Sequence, residues 1–488
     1  MNIVIIMSDQ HHPRFMGCAG HPVLETPNLD AVAHDGARFD SACCPSPLCG
    51  PSRMSFLTAA YPHRTGVYAN GQPLPSDFPT FAHALTAAGY QTALIGRMHI
   101  TGPDQNHGFE YVFAKDVTAS TLGGGVLPLL DGLHAGSGPS GISLSGPGGS
   151  AYHLYDDLVA RRACDWIYEA DPGRPFCMVV GFALPHNPFV CSEADYAVYK
   201  DRVEPPVVTE EEAARMHPAI RDTFEKLRCA TRDEARRALA AYCGSIAALD
   251  RRVGDILHAI DEPGRAGPTL VVYTSDHGEM AGEHGLWYKG CFYEPSVGVP
   301  LLMRLPDEIP AGATFRECVN LVDLTATVLD LAGAEALPDT DGRSFRRLWR
   351  PNLGAWEDVT FSEYGTRWAR SLLARMARRG RMKYVYYHEL PEMLFDLDND
   401  PDERYNLAEM PEYAPVKAEL RALALRDWDP AEITRRLDLW KRRNEVLYRA
   451  YCALPPGDPH IYRPDPTANF LLDVPTFKRD RTLRNGSY

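Results

Sequence analysis

Positive charge is scarce in these 488 residues: 50 Lys and Arg stand against 64 Asp and Glu, a formal net charge of −14. A nucleic-acid partner usually leaves a basic footprint, and this balance gives no support for one. Acidity does not exclude an anionic small molecule, because a few local Arg, Lys or metal charges can dominate one pocket. Long apolar runs are also missing. None approaches the ~20 residues that a membrane-spanning helix needs, so no membrane partner is expected. The strand-like run Asn2–Met7 begins at once, without a charged n-region, a longer apolar h-region and a cleavage site before it. No signal peptide is expected on that pattern. The twelve cysteines form no CxxC pair and no compact ladder, which points to reduced thiols in a cytoplasmic protein. What remains is an ordinary globular balance, 45% hydrophobic and 23% charged.

Short apolar runs alternate with amphipathic stretches. Strands are expected at Asn2–Met7, Thr92–Gly96, Phe176–Leu184, Thr269–Thr274 and Val299–Arg304, and helices at Pro27–Asp35, Thr80–Ala88, Tyr155–Tyr168, Asp233–Ile260 and Asp323–Leu331. Thr26-Pro27 suits a helix start, and Gly89 and Gly333 suit helix ends. This alternation predicts an α/β fold, a large mainly parallel sheet with helices on both faces. Ligands of such sheets sit beyond the carboxyl ends of the strands. The Gly/Ser/Pro-rich stretch Ser137–Ser150 reads either as a surface linker or as a flap over the site. Shorter strands follow at Val359–Tyr364, Met382–Tyr387 and Glu392–Leu397. The expected division is a catalytic domain over 1–355, a small C-terminal α+β domain over 356–428, and an irregular, charged and aromatic tail over 429–488.

Polar residues gather at the strand ends. The first strand runs into Asp9-Gln10, and the strand at Thr269–Thr274 runs into Ser275-Asp276-His277-Gly278-Glu279. Carboxylates, an amide oxygen and an imidazole could together hold one divalent cation such as Ca²⁺, Mg²⁺ or Mn²⁺. The absence of a thiolate cluster argues against structural zinc. Cys49-Gly-Pro51-Ser-Arg53 opens another expected helix, Pro51 suiting its first turn. Cys49 would then sit at a helix N-terminus, where free N–H groups and the dipole favour an anion.

Cys49-x-Pro51-x-Arg53 within CGPSRMSFLT resembles the signature of the type I sulfatases, members of the alkaline-phosphatase-like superfamily. Gly96-Arg-Met-His99, Leu184-Pro-His186-Asn-Pro-Phe189, Ser275-Asp276-His277-Gly278 and Gly285-Leu-Trp-Tyr-Lys289 follow in the family's order, and the resemblance extends more weakly to Phe395–Pro401. The resemblance implies an alkaline-phosphatase-like fold and conversion of Cys49 to formylglycine by a maturation enzyme. Hydrated, that aldehyde would attack the sulfur or phosphorus of a small anionic ester and later expel the inorganic anion by collapsing back to the aldehyde. Carried over by position, Asp9, Gln10, Asp276, His277 and modified Cys49 would bind the metal, and Arg53 would hold the hydrate. Arg97, His99 and Lys289 would grip nonbridging oxygens, His186 would protonate the leaving oxygen, and Asn70 would lie near the hydrated aldehyde.

Gln10 with His277 resembles the subgroup of choline sulfatases and phosphonate monoester hydrolases. Arg97 stands where the family usually has Lys, a planar fork in place of a compact ammonium. Gly102–Phe109 is similar to choline sulfatases, and Glu363 matches a carboxylate such enzymes use for the quaternary ammonium. Ammonium recognition also favours an aromatic cage, and Thr121–Val126 offers no aromatic residue. The leading expectation is sulfate ester hydrolysis. Phosphonate monoester or phosphodiester hydrolysis on the same machinery is the alternative, since these substrates also carry one negative charge. Retention of Cys49, Pro51, Arg53 and both metal-ligand pairs argues against a non-catalytic anion-binding protein. The tail, with Trp440, Tyr448, Tyr451, Tyr462 and Phe470, resembles subgroup tails that wrap a neighbouring subunit, so a homo-oligomer (dimer or tetramer) is expected, although the tail could equally pack on its own chain.

Overall fold

The computed structural model describes residues 1–114, 119–120, 126–127, 138–227, 230–262, 268–366, 372–453 and 470–471. Four strands form the middle of its main sheet: β1 (Asn2–Asp9), β2 (Gln91–Gly96), β3 (Phe176–Pro185) and β4 (Thr269–Ser275). Across the sheet the order is Ala313–Phe315, Ala37–Phe39, Leu301–Arg304, β4, β1, β3, β2, Tyr111–Phe113. Its pairings are parallel except the two that flank Leu301–Arg304.

The central strands are almost continuously apolar because both faces are covered. Ile3, Ile5, Met7, Val179 and Val272 pack toward Phe56 and Leu57 of α1 (Cys49–Thr58) and toward Leu324 and Val328 of a later helix, Leu321–Ala332. The alternate residues Val4, Ile6, Val180 and Tyr273 meet Tyr155 and Val159 of α2 (Ala151–Glu169) and Leu249 and Val253 of α3 (Arg232–Asp261). A strand's period of two thus divides one run of sequence between two cores.

Local signals set the helix ends. Thr231 and Glu234 form a reciprocal capping box at the start of α3. Leu321–Ala332 starts with an Asn320–Asp323 box and stops at Gly333, whose φ of 65° suits glycine. A four-stranded antiparallel sheet follows, in the order Val359–Thr366, Leu372–Arg379, Met382–Tyr387, Met393–Asp396. No helix among the described residues is long and apolar enough to cross a membrane.

Two expectations fail here. Within Ser137–Ser150 the described residues carry a short helix, Pro139–Ser143, and a strand, Gly146–Gly149, that pairs with Val190–Cys191. Ile142 anchors that segment in a core with Phe189 and Tyr242, so it is not a surface linker. The tail is not irregular at its start: Pro430–Ala453 forms a helix, α4, with Ile433 and Leu437 buried against Tyr68 and Trp428. Farther on, Phe470–Leu471 pairs with Gly148–Gly149 of the same chain. The segment 121–125 and Tyr462 lie outside the described residues, as do the side chains of Tyr448, Tyr451 and Phe470.

Candidate active site

Parallel register brings the polar residues together. Ser8 pairs with Ser275, so Asp9 and Asp276 leave adjacent strands side by side. On the other side of β1, Asp9 is level with Pro185, placing His186 next in line. Gly96 pairs with Gly181, and Arg97 N–H donates to Gly181 O at 2.8 Å. A Cβ at Gly181 would lie 1.9 Å from Arg97 O, so glycine is required for this approach.

The N-terminus of α1 points into the same space. Cys49, its first residue, is fully buried, and its Sγ lies 3.1 Å from His277 Nε2 and 3.9 Å from Asp9 Oδ1. Asn70 Oδ1 accepts from Gly50 N–H at 2.9 Å, satisfying one donor of the helix start.

Arg53 does more than expected for the carboxylates. Its Nε donates to Asp276 Oδ2 at 2.9 Å, its Nη2 to Asp9 Oδ2 at 3.1 Å, and its Nη1 to Arg97 O at 2.8 Å. One planar fork therefore holds one oxygen of each carboxylate and turns the Oδ1 atoms toward Cys49 and His277. Arg97 Nε lies 2.7 Å from Asp9 Oδ2, and its Nη2 is 3.5 Å from His99 Nδ1. Burial works against the Asp9 charge, yet the Arg97, Arg53 and Lys289 charges hold its carboxyl well below the usual range.

Asp9, Cys49, Asp276 and His277 each offer a ligand atom, all within 4.8 Å of one another. His277 Nδ1 lies 2.9 Å from Gly278 O, so Nδ1–H donates there and the Nε2 lone pair faces the cluster. Burial lowers the His277 pKa, keeping a neutral, metal-ready imidazole. Two carboxylates and an imidazole suit a divalent cation, and the donor set fits the expected ion. Gln10 adopts φ 67° and donates its N–H to Asp276 Oδ1 at 3.1 Å. Its Oε1 accepts a hydrogen bond from Lys289 Nζ. The cluster of four and the Gln10 amide thus occupy one site, with Lys289 bridging them to His186.

His186 Nε2 is 2.9 Å from Lys289 Nζ, while its Nδ1 is 2.6 Å from Asn187 O. Nδ1–H donates to the carbonyl, which leaves Nε2 to accept from the ammonium. Burial and the Lys289 charge keep the imidazole neutral, well below its ordinary pKa. Burial also pushes the Cys49 thiol up to about 12, with the Asp9 charge adding to it.

Glu363 is placed differently from the expectation. It is fully buried and takes hydrogen bonds from His63 N–H at 2.9 Å and Tyr68 OH at 2.8 Å. His63 Nδ1 lies 2.7 Å from its other oxygen, and Arg375 Nε lies 3.3 Å from the same atom. The carboxylate is consumed by this network rather than offered to a ligand. A second metal-competent trio, His63, Asp341 and Asp427, is close enough to share an ion, but Arg64 already pairs with Asp341 and Arg375 with Asp427.

One residue of the strand-end run has no role assigned from sequence. Glu279 stands two residues after His277 and is fully buried, with its Oε2 2.5 Å from Gln10 Nε2. Burial raises its pKa to about 7. The available signal was a second acid in Asp276-His-Gly-Glu279.

Fold and site together define an α/β protein with a metal-competent centre at the carboxyl ends of its parallel strands. The sulfatase family model matches residues 1–334, and the model of the N-sulphoglucosamine sulphohydrolase C-terminal region matches 282–427. The chain belongs to the sulfatase family. It is 34% identical over 479 residues to a choline-sulfatase of Rhizobium meliloti (strain 1021), covering 92% of this chain and 91% of that one. An arylsulfatase of Clostridium perfringens is 29% identical over 469 residues, covering 88% and 95%. The crystal structure of a phosphonate monoester hydrolase of Agrobacterium radiobacter superposes with a TM-score of 0.72 at 25% identity, over 87% of this chain and 96% of that chain.

Proposed function

We propose that this sulfatase hydrolyses small sulfate monoesters, with position 49 acting in formylglycine form beside one divalent metal ion. The observation that carries the reading is the placement of Cys49 at the start of α1, 3.1 Å from His277 Nε2 and within reach of both aspartates. A thiol held protonated by burial is a poor nucleophile. Formylglycine, made by a maturation enzyme, would supply a hydroxyl nucleophile at this place. Asp9, Asp276, His277 and position 49, with the Gln10 amide as a further donor, would hold Ca²⁺ or Mn²⁺, which would supply Lewis-acid stabilisation of charge.

The chain's own residues do the rest. Arg53 keeps both aspartates turned toward the ion. Arg97, His99 and Lys289 bring cationic and hydrogen-bonding groups to the nonbridging oxygens, and Asn70 fixes the N-terminus of α1 beneath the nucleophile. The Lys289–His186 pair holds a proton along Nζ–H···Nε2, and the leaving oxygen takes it as the ester bond breaks. Glu363 serves as a buried anchor near this site, so the reading assigns it no substrate contact.

Phosphonate monoester hydrolysis is a second reading, favoured by the superposition on a phosphonate monoester hydrolase and by the single charge both ester classes carry. Rates on an aryl sulfate and on a phenylphosphonate monoester, measured with protein whose position 49 is verified as modified, test the proposal. A higher kcat/KM for the sulfate is expected, and a preference for the phosphonate would reverse the assignment.

We also propose a cytoplasmic homo-oligomer. Ten cysteines, Cys49 among them, are free thiols, which suits a reducing compartment. Exposed Val446 and Leu447 near the end of α4 suit a subunit contact.

A further inference from the structure

Glu279 occupies an unusual crossing point. Its Oε1 accepts from Ala281 N–H at 2.9 Å and Tyr288 N–H at 2.6 Å, and its Oε2 faces Gln10 Nε2 at 2.5 Å. Gln10, Ala281 and Tyr288 all hold left-handed backbone conformations, with φ of 67°, 48° and 71°. Non-glycine residues adopt that region at a cost, so surrounding contacts must fix them. Tyr288 immediately precedes Lys289, so one carboxylate ties the backbone that carries Lys289 to the side chain of Gln10.

The same contacts decide which way the Gln10 amide points. Lys289 Nζ is donor only, so the Gln10 atom facing it is the oxygen. The amide nitrogen then faces Glu279 and Asn187 Oδ1, the latter at 3.2 Å. Lys289 and Asn187 favour the same orientation, and Glu279 supplies the nearer acceptor for the amide nitrogen.

We propose that Glu279 is a positioning residue: it locks the Gln10 amide with its oxygen toward the metal centre and Lys289, and it fixes the loop that presents Lys289. The proposal rests on the metal-centre reading above. It separates into a geometric role for Glu279 and a chemical role for Gln10, which two variants distinguish. Glu279→Gln is isosteric and keeps an oxygen for Ala281 and Tyr288, but its amide meets the Gln10 amide donor to donor. Gln10 then loses the acceptor that holds its nitrogen, and turning over would present N–H groups to a cation. Adding Gln10→Glu restores an acceptor facing position 279 and a carboxylate oxygen facing the ion.

The measurement is metal retention by the purified holoenzyme in competition with a chromophoric chelator, with kcat and KM on an aryl sulfate at saturating Mn²⁺. Expected for Glu279→Gln are a tenfold or greater loss of metal affinity and a fall in kcat larger than any rise in KM. In Gln10→Glu/Glu279→Gln metal affinity should return to within a few-fold of wild type. Wild-type affinity and kcat in Glu279→Gln would overturn the proposal. A double variant that folds yet binds metal tenfold or more weakly than wild type would overturn the amide-orientation role, whether or not the single variant folds. Wild-type protein that retains metal but cleaves no sulfate ester would instead overturn the proposed function.

Discussion

Asp276 shows how much one side chain carries. It faces the metal donors with Oδ1, is gripped by Arg53 through Oδ2, and receives the N–H of both Gln10 and His277. Asp276→Ala should remove metal and activity together, beyond the ~10–100-fold that loss of an outer partner costs. Elemental analysis checks this, and full occupancy in the variant would refute the ligand assignment. His186 gives a second test. A nitrophenolate departs readily, whereas an alkoxide needs a proton as the bond breaks. His186→Ala should slow alkyl sulfates by ~10²–10⁴-fold and nitrophenyl sulfate far less, with metal content unchanged. Equal loss across the leaving-group series would make His186 a substrate-positioning residue, and the same series on Lys289→Ala would divide the proton between the pair.

Most of this site was legible at the residue scale, because parallel strands deliver their next residues to one edge. Asp9 ends its strand, and Arg97, His186 and Asp276 follow directly on theirs. The partners of Glu363 are hidden from sequence: antiparallel register sets it opposite Arg375, and His63 and Tyr68 come from far upstream. Glu279 has no role assigned from sequence because its partners, Gln10 and Tyr288, meet it only through loop conformation.

Among the elements, central strands and long helices follow their apolar periods to within a few residues. The strand Leu372–Arg379 does not, because Arg375 and Arg378 are buried. Arg375 pairs with Glu363, and Arg378 with Glu294 at 2.7 Å, so charge sits where pattern expects apolar residues. α4 was obscured by its many charges, although Asp429-Pro430 is a helix-start pair and Asp429 Oδ1 accepts from Ala431 N–H at 2.9 Å. Its few buried residues matter out of proportion. Leu437 packs beside Tyr68, which leads directly into Ala69-Asn70 below the start of α1. Leu437→Ala should cost about 2–5 kcal/mol in urea denaturation and also lower kcat, since the Asn70 segment loses its support. Unchanged kcat at the expected stability loss would separate α4 from the site.

At the scale of the whole molecule, acid stability reports on how the strand-end loops are tied together. Glu283 binds Arg14 at 2.6 Å and His12 at 2.9 Å. Burial would raise its pKa, but its bonds to His12 and Arg14 hold it at about 2. Burial keeps His12 itself below its ordinary range, so the ion pair is chiefly that of Arg14 and Glu283. A depressed folded-state carboxyl stabilises above its unfolded pKa, near 4.5, and that stability is lost as pH falls toward about 2. Glu283→Gln should therefore lower Tm at pH 7, and the gap to wild type should close as pH falls through this window. A gap independent of pH would show that the loss is one of packing alone.

The central claim is that position 49 acts in oxidised form at the head of α1. Peptide mass spectrometry of catalytically active protein tests it most directly, with the fraction modified compared against specific activity on an aryl sulfate. The account predicts a lighter, aldehyde-bearing Cys49 peptide whose abundance scales with activity, and near-complete inactivity of unmodified protein and of Cys49→Ser where no maturation enzyme oxidises it. Full activity in protein whose Cys49 is wholly an unmodified thiol would contradict it.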